Sequence, residues 1–170
     1  MKIKILFILY ALIILVAQKM IFSDAVTIIS DRYPVSIFIY PLIILSLPID
    51  FDRPLSLLIA FFSGLAIDVF NDTLGMNAFA LLVMTYLRKP VLRWIQPLPG
   101  YQTDDSSFRR YGMVWVLGYL GILFAVHIFS FYSIDAFTFV HIRRILICTA
   151  LSILASLPFG FLILLLFKPK

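Results

Sequence analysis

The chain has 170 residues, 62% of them apolar and 14% charged, with a net charge of +5 and a mean hydropathy of +1.05. Soluble domains carry roughly 45–50% apolar residues, so this composition excludes a water-soluble fold and points to a membrane-embedded one. The single cysteine, Cys148, excludes an intramolecular disulfide and reads as a small packing residue.

Apolar blocks occupy 5–17, 35–47, 55–67, 74–87, 113–131 and 145–167. With their semi-polar flanks they approach the ~20 residues that a helix needs to cross ~30 Å of hydrocarbon. Unbroken runs rather than alternating ones argue for helices over a barrel. The pattern predicts an all-α six-transmembrane-helix bundle, one domain over 1–170, with helices at about 3–22, 34–49, 55–71, 74–88, 112–132 and 143–167.

The first block follows Lys2 and Lys4, and Ser23-Asp24-Ala25 offers a weak cleavage site; a retained helix fits the charge pattern better. The second block is short, and Pro34, Pro41 and Pro48 recur every seven residues. Each interior proline frees a carbonyl that a neighbour must meet, so a broken or re-entrant segment is the alternative to a continuous helix. The third contains Ala60, Gly64 and Asp68 at spacings of four, a small-residue face suited to close helix approach with a carboxylate near its end. The candidate partners for Asp68 are Asn77, His127, Arg143 and Arg144. The alternative is that it reaches interfacial water. Asn71-Asp72-Thr73 reads as a tight turn in which Asp72 or Thr73 caps the fourth helix. The fifth block carries His127, which with His141 makes the full histidine complement. The sixth carries a second small-residue stripe, Ser152, Ser156 and Gly160, expected to pair with the first.

With the N-terminus inside, the inner side holds Lys2, Lys4, Arg53, Arg88, Lys89, Arg93, Arg109, Arg110, Lys168 and Lys170, and the outer side holds Lys19, Arg32, Arg143 and Arg144. Positive charge favours the cytoplasmic side. Both termini and the loop 89–111 are therefore expected in the cytoplasm, with Trp94, Tyr101, Tyr111 and Trp115 as an interfacial belt. The basic balance follows from topology and implies no nucleic-acid partner. The sequence has no HExxH, GxSxG or glycine-rich phosphate motif; the expectation is no catalytic residue, no metal site and no cofactor.

The run from Tyr40 to Pro90, including YPLIILSLP, LIAFFSGLAIDVFNDTLGMNAFA and TYLRKP, resembles the MreD family of rod shape-determining proteins. The matching positions are Phe62, Gly64 and Asp68 in an F-x-G-x-x-x-D arrangement, then Gly75, Asn77 and Ala78, then the basic Arg88. Asn77 takes a place where histidine is common in that family. Outside these fifty or so residues the resemblance is one of hydropathy. It implies a non-enzymatic subunit of the bacterial cell-elongation machinery in the cytoplasmic membrane, beside the membrane-anchored MreC, the MreB filament, and the glycosyltransferase and transpeptidase of wall synthesis. It also implies similarity in fold to the substrate-binding S-components of energy-coupling-factor vitamin transporters, which supplies the alternative function, a small-molecule binder. On this reading Phe62, Gly64, Asp68, Gly75, Asn77, Arg88, His127, Ser152, Ser156 and Gly160 are the candidate structural and partner-binding residues, with membrane lipid as surroundings.

Overall fold

The computed structural model describes residues 2–22, 33–97, 111–137 and 139–166. Arg109, Arg110 and most of the expected cytoplasmic loop, the site Ser23-Asp24-Ala25, Arg32, Lys168 and Lys170 lie outside the described residues. The fold is all-helical: α1 (Lys2–Ala17) continues as a π-helical turn (Gln18–Phe22), followed by the one-turn α2 (Leu42–Leu45), α3 (Arg53–Asn71), α4 (Met76–Trp94), α5 (Met113–Asp135) and α6 (Ile142–Leu166). Three helical stretches, Arg53–Asn71, Met113–Asp135 and Ile142–Leu164, are long and apolar enough to cross a membrane. The apolar stretch in α1, Leu6–Phe22, is shorter, and α4 carries Arg88, Lys89 and Arg93.

Side-chain contacts fix how the elements run. Lys19, just past α1, reaches the end of α3 at Phe70 and Asn71. Arg53 at the start of α3 reaches Tyr86 late in α4. Arg88 meets Tyr119 early in α5, and Tyr132 late in α5 meets Ser152 early in α6. The C-terminal ends of α1 and α3 thus lie together, whereas α3, α4, α5 and α6 are antiparallel in succession. One end of the bundle gathers Gln18, Asp68, Asn77 and Tyr132; the other gathers Pro48, Arg53, Arg88 and Tyr119. Exposed Leu12, Leu58, Phe62, Val69, Val114 and Leu154 clothe the outside, as lipid-facing helices require.

The second block is not a helix over 34–49. Residues 34–39 are extended, α2 makes a single turn after Pro41, and Pro48 follows it. Proline supplies no N–H and disfavours helix at the residue before it, so three prolines at this spacing leave room for one turn. The segment lies at the centre: Phe38, Ile39, Tyr40 and Leu42–Leu45 are buried. The fourth helix is longer than the expected 74–88, running through Pro90 to Trp94.

The two small-residue stripes do not pack on each other. Gly64 faces α4, where an added Cβ would overlap the Ala78 Cα and lie 2.8 Å from the Ala78 nitrogen. Gly160 faces the Phe124 ring and Leu42. By contrast, Gly118 and Gly121 on α5 have open space where a Cβ would stand.

The difference is measurable in detergent. Gly64→Ala forces the α3–α4 backbones apart and should destabilise by about 1–3 kcal/mol. Gly118→Ala meets nothing and removes the glycine entropy penalty, so it should be neutral or stabilising by up to about 1 kcal/mol. Thermal melts of the two variants beside the parent protein check both signs.

Candidate functional site

The α3–α4 turn is built from two left-handed residues: Asp72 (φ 53°) ends α3 and Gly75 (φ 84°) begins α4. Gly75 has no side chain to cap the helix it opens. The carboxylate that does so comes from the preceding helix. Asp68 Oδ1 accepts from the Asn77 N–H (3.0 Å), the Asn77 Nδ2 (2.9 Å) and the Thr73 hydroxyl (2.6 Å), and Oδ2 accepts from the Ala78 N–H (2.9 Å). Asp68 is 4% exposed. Its buried charge is therefore met by four donors, two of them orphan N–H groups at a helix N-terminus, where the dipole also favours an anion. Gly64 permits this geometry, because only a glycine in α3 lets the Ala78 backbone come so near.

From Asp68 the polar chain crosses the bundle. Both hydrogens of the Asn77 amide are committed, one to Asp68 and one to Thr73 Oγ1 (2.8 Å), leaving its Oδ1 as the acceptor for the Tyr40 hydroxyl (2.9 Å). That hydroxyl lies 2.7 Å from His127 Nε2. Having given its proton to Asn77, Tyr40 can only accept from His127, which makes the imidazole the Nε2–H tautomer. Its Nδ1 is buried without a hydrogen-bond partner among the described residues, and the polar chain ends there on α5.

A second polar system serves the central segment. Gln18 spans it, donating to the Ile37 carbonyl (2.9 Å) and accepting from the Ile39 N–H (2.7 Å) and the Tyr40 N–H (3.3 Å). Ser152 and Ser156 accept from the N–H groups of Ser36 (3.1 Å) and Phe38 (2.9 Å), and the Tyr132 hydroxyl donates to the Pro34 carbonyl (2.9 Å). At the other end the buried Arg88 guanidinium donates to the carbonyls of Leu47 and Pro48 and to the Tyr119 hydroxyl, which donates to the Leu45 carbonyl.

The structure thus brings Gly64, Asp68, Gly75, Asn77 and, through Tyr40, His127 into one cluster. Asn77 is the direct partner of Asp68; His127 is reached only through two intermediaries, and Arg143 and Arg144 are exposed. Neither Asp72 nor Thr73 caps α4, because Asp68 already occupies its N–H groups. Phe62 is 64% exposed and faces outward against Phe61. Ser152 and Ser156 bind backbone N–H groups of the central segment, and Gly160 makes room for the Phe124 ring and Leu42. Sequence reasoning missed Gln18, Tyr40, Tyr119 and Tyr132. Gln18 carried a signal, being a lone amide at the end of an apolar run; the tyrosines were hidden among other aromatics.

Beside the cluster lies a cavity of about 350 Å³, bounded by Gln18, Lys19, Phe38, Tyr40, Asn77 and Phe131 among others. Phe38 and Phe131 meet edge to face with centroids 5.1 Å apart.

Asp68→Leu leaves the two α4 N–H groups, the Asn77 amide and the Thr73 hydroxyl without their acceptor. Asp68→Asn keeps the shape and one oxygen. Each stranded donor costs on the order of 1–3 kcal/mol, so the leucine variant should lose most of its folded fraction in detergent, whereas the asparagine variant should fold with a lowered melting temperature. Equal melting of the two would remove the cap from the account. Gln18→Leu strands three backbone groups in the same way and should fall nearer the leucine variant than the asparagine one.

Comparison with protein-family models, with curated proteins and with solved structures returns no match.

Proposed function

We propose that this chain is a non-enzymatic subunit of the bacterial cell-elongation machinery, an MreD-like protein of the cytoplasmic membrane with both termini inside, which scaffolds wall synthesis by packing against the transmembrane helix of an MreC-like partner. The observation that carries the reading is local. Gly64, Asp68, Gly75, Asn77 and Ala78, which bear the resemblance, act as one physical unit: the glycine admits the backbone that the aspartate caps. A motif whose members depend on one another in this way is a better warrant for kinship than shared hydropathy. Contact with the MreB filament and the wall-synthesis glycosyltransferase and transpeptidase would be indirect, through that partner.

Helices in lipid associate by close fit, since hydrocarbon gives no hydrophobic drive between them. The Gly64 and Ser152–Gly160 faces are both covered from within the chain. The α5 face with Gly118 and Gly121 is open, and on this reading it receives the partner helix. A second reading, a substrate-binding subunit like the S-components of vitamin transporters, draws on the cavity beside Asn77. It requires a vitamin that survives purification and an energising ATPase module that co-purifies.

Two experiments test the proposal. Single cysteines at the exposed Leu74 and Gln96, in a Cys148→Ala background, should be labelled from outside and from inside respectively in spheroplasts; labelling of position 96 from outside would overturn the topology. In a rod-shaped host, Gly118→Leu at normal protein level should keep the fold but round the cells and lower recovery of the MreC-like partner. Unchanged shape and recovery would remove the α5 interface. Recovery of an ATPase module with a bound vitamin, and of no wall-synthesis protein, would favour the second reading.

A further inference from the structure

We propose that the cavity at the Asp68 end of the bundle binds a zwitterionic group, an anion and an ammonium a few bonds apart, seated between Lys19 and Asp72. Both residues bound the cavity. The Lys19 ammonium is anchored by the Phe70 carbonyl (2.7 Å) and by Asn71 Oδ1 (3.2 Å), which among the described residues uses two of its three donors and leaves one. Asp72 is exposed, and no hydrogen bond or ion pair engages its carboxylate among the described residues. Two opposite charges therefore share one recess without pairing with each other.

The two amides deepest in the recess are spent, while the Ser36 hydroxyl and the Asn71 side chain also border it. Asn77 is committed to Asp68, Thr73 and Tyr40, and Gln18 to the backbone of the central segment. Charge recognition therefore falls to Lys19 and Asp72, beside the apolar walls of Phe22, Phe38 and Phe131. A purely anionic ligand would gain Lys19 and be repelled by Asp72; a purely cationic one would meet the reverse. A ligand bearing both charges satisfies both. The volume of about 350 Å³ lies within the range of small-molecule pockets. Gln18 and Lys19 open a π-helical turn, Gln18 reaching the central segment and Lys19 reaching α3, and such turns recur at functional sites. The source of the zwitterion is either a lipid headgroup, with its chains along the exposed Met20 and Val69, or a free amino-acid-like solute. The inference does not rest on the cell-elongation reading, because it concerns the chain alone.

The test is thermal unfolding of purified, delipidated protein in an uncharged detergent, titrated with dihexanoyl phosphatidylethanolamine, dihexanoyl phosphatidylglycerol and free phosphoethanolamine. Ligand bound only to the folded state raises the midpoint. The expected result is a saturable rise with phosphatidylethanolamine that phosphatidylglycerol does not match. A rise with phosphoethanolamine as well identifies a free solute as a competent ligand, and a rise with the lipid alone identifies a headgroup site. Lys19→Gln and Asp72→Asn should each weaken apparent affinity about tenfold, the scale of one charge-assisted contact. Asparagine tolerates the left-handed backbone at 72, so that variant should fold as the parent does. Equal response to phosphatidylglycerol, an unchanged response in Asp72→Asn, or no response to either zwitterion would overturn the proposal.

Discussion

The backbone of residues 34–49 is the constraint around which the bundle is arranged. In hydrocarbon an unpaired N–H or C=O costs several kcal/mol, and irregular backbone at that depth survives only inside protein. Three prolines deny this stretch a continuous helix, so its polar groups have to be met from outside. The π-turn after α1 supplies Gln18, α4 supplies Arg88, α5 supplies Tyr119 and Tyr132, and α6 supplies Ser152 and Ser156. The burial of Gln18, Arg88, Ser152 and Ser156 is explained by this one debt.

The same logic governs the two charges that are buried among the described residues. Asp68 and Arg88 sit towards opposite ends of the α3–α4 hairpin and do not meet each other. Each meets backbone of the complementary sign: the carboxylate takes the N–H groups opening α4, and the guanidinium takes carbonyls just past α2. Ion pairs isolated in low dielectric often fail to recover their desolvation cost. Fixed backbone dipoles are ready partners, since they are already ordered by the helices that carry them. Asp68 is near the C-terminus of its own helix, where the dipole disfavours it, and is tolerated because the next helix begins beside it.

Much of this was legible in the sequence, for reasons that differ by element. The long blocks at 113–131 and 145–167 became α5 and α6 because hydropathy over about twenty residues is a strong signal, and the shorter block at 55–67 became α3 together with its flanks. Gly64 and Asp68 announced a close approach and a needed donor, and Asn77 was among the candidates. The route from Asn77 through Tyr40 to His127 was not legible, because it joins residues up to 87 positions apart and tyrosine in an apolar run looks like any other aromatic. The second block failed as a helix because its prolines outweighed its hydropathy. Ser152 and Ser156 were read as room for another helix, when their hydroxyls rather than their size were what the fold used. A spacing of four gives the face of a helix and is silent on what that face meets.

The hydrogen bonds of the central segment also set an order of assembly. The α3–α4 hairpin closes over contacts ten residues apart or fewer, Asp68 to Ala78 and Asp68 to Thr73, and can form as soon as its own residues are made. The extended stretch waits for partners 98 to 118 positions downstream, at Tyr132, Ser152 and Ser156. Long separations delay pairing because the intervening chain must be ordered first. Through the synthesis of α3, α4 and α5 the residues that end up at the centre of the molecule cannot yet be sealed from water, and α6 is the helix that closes over them.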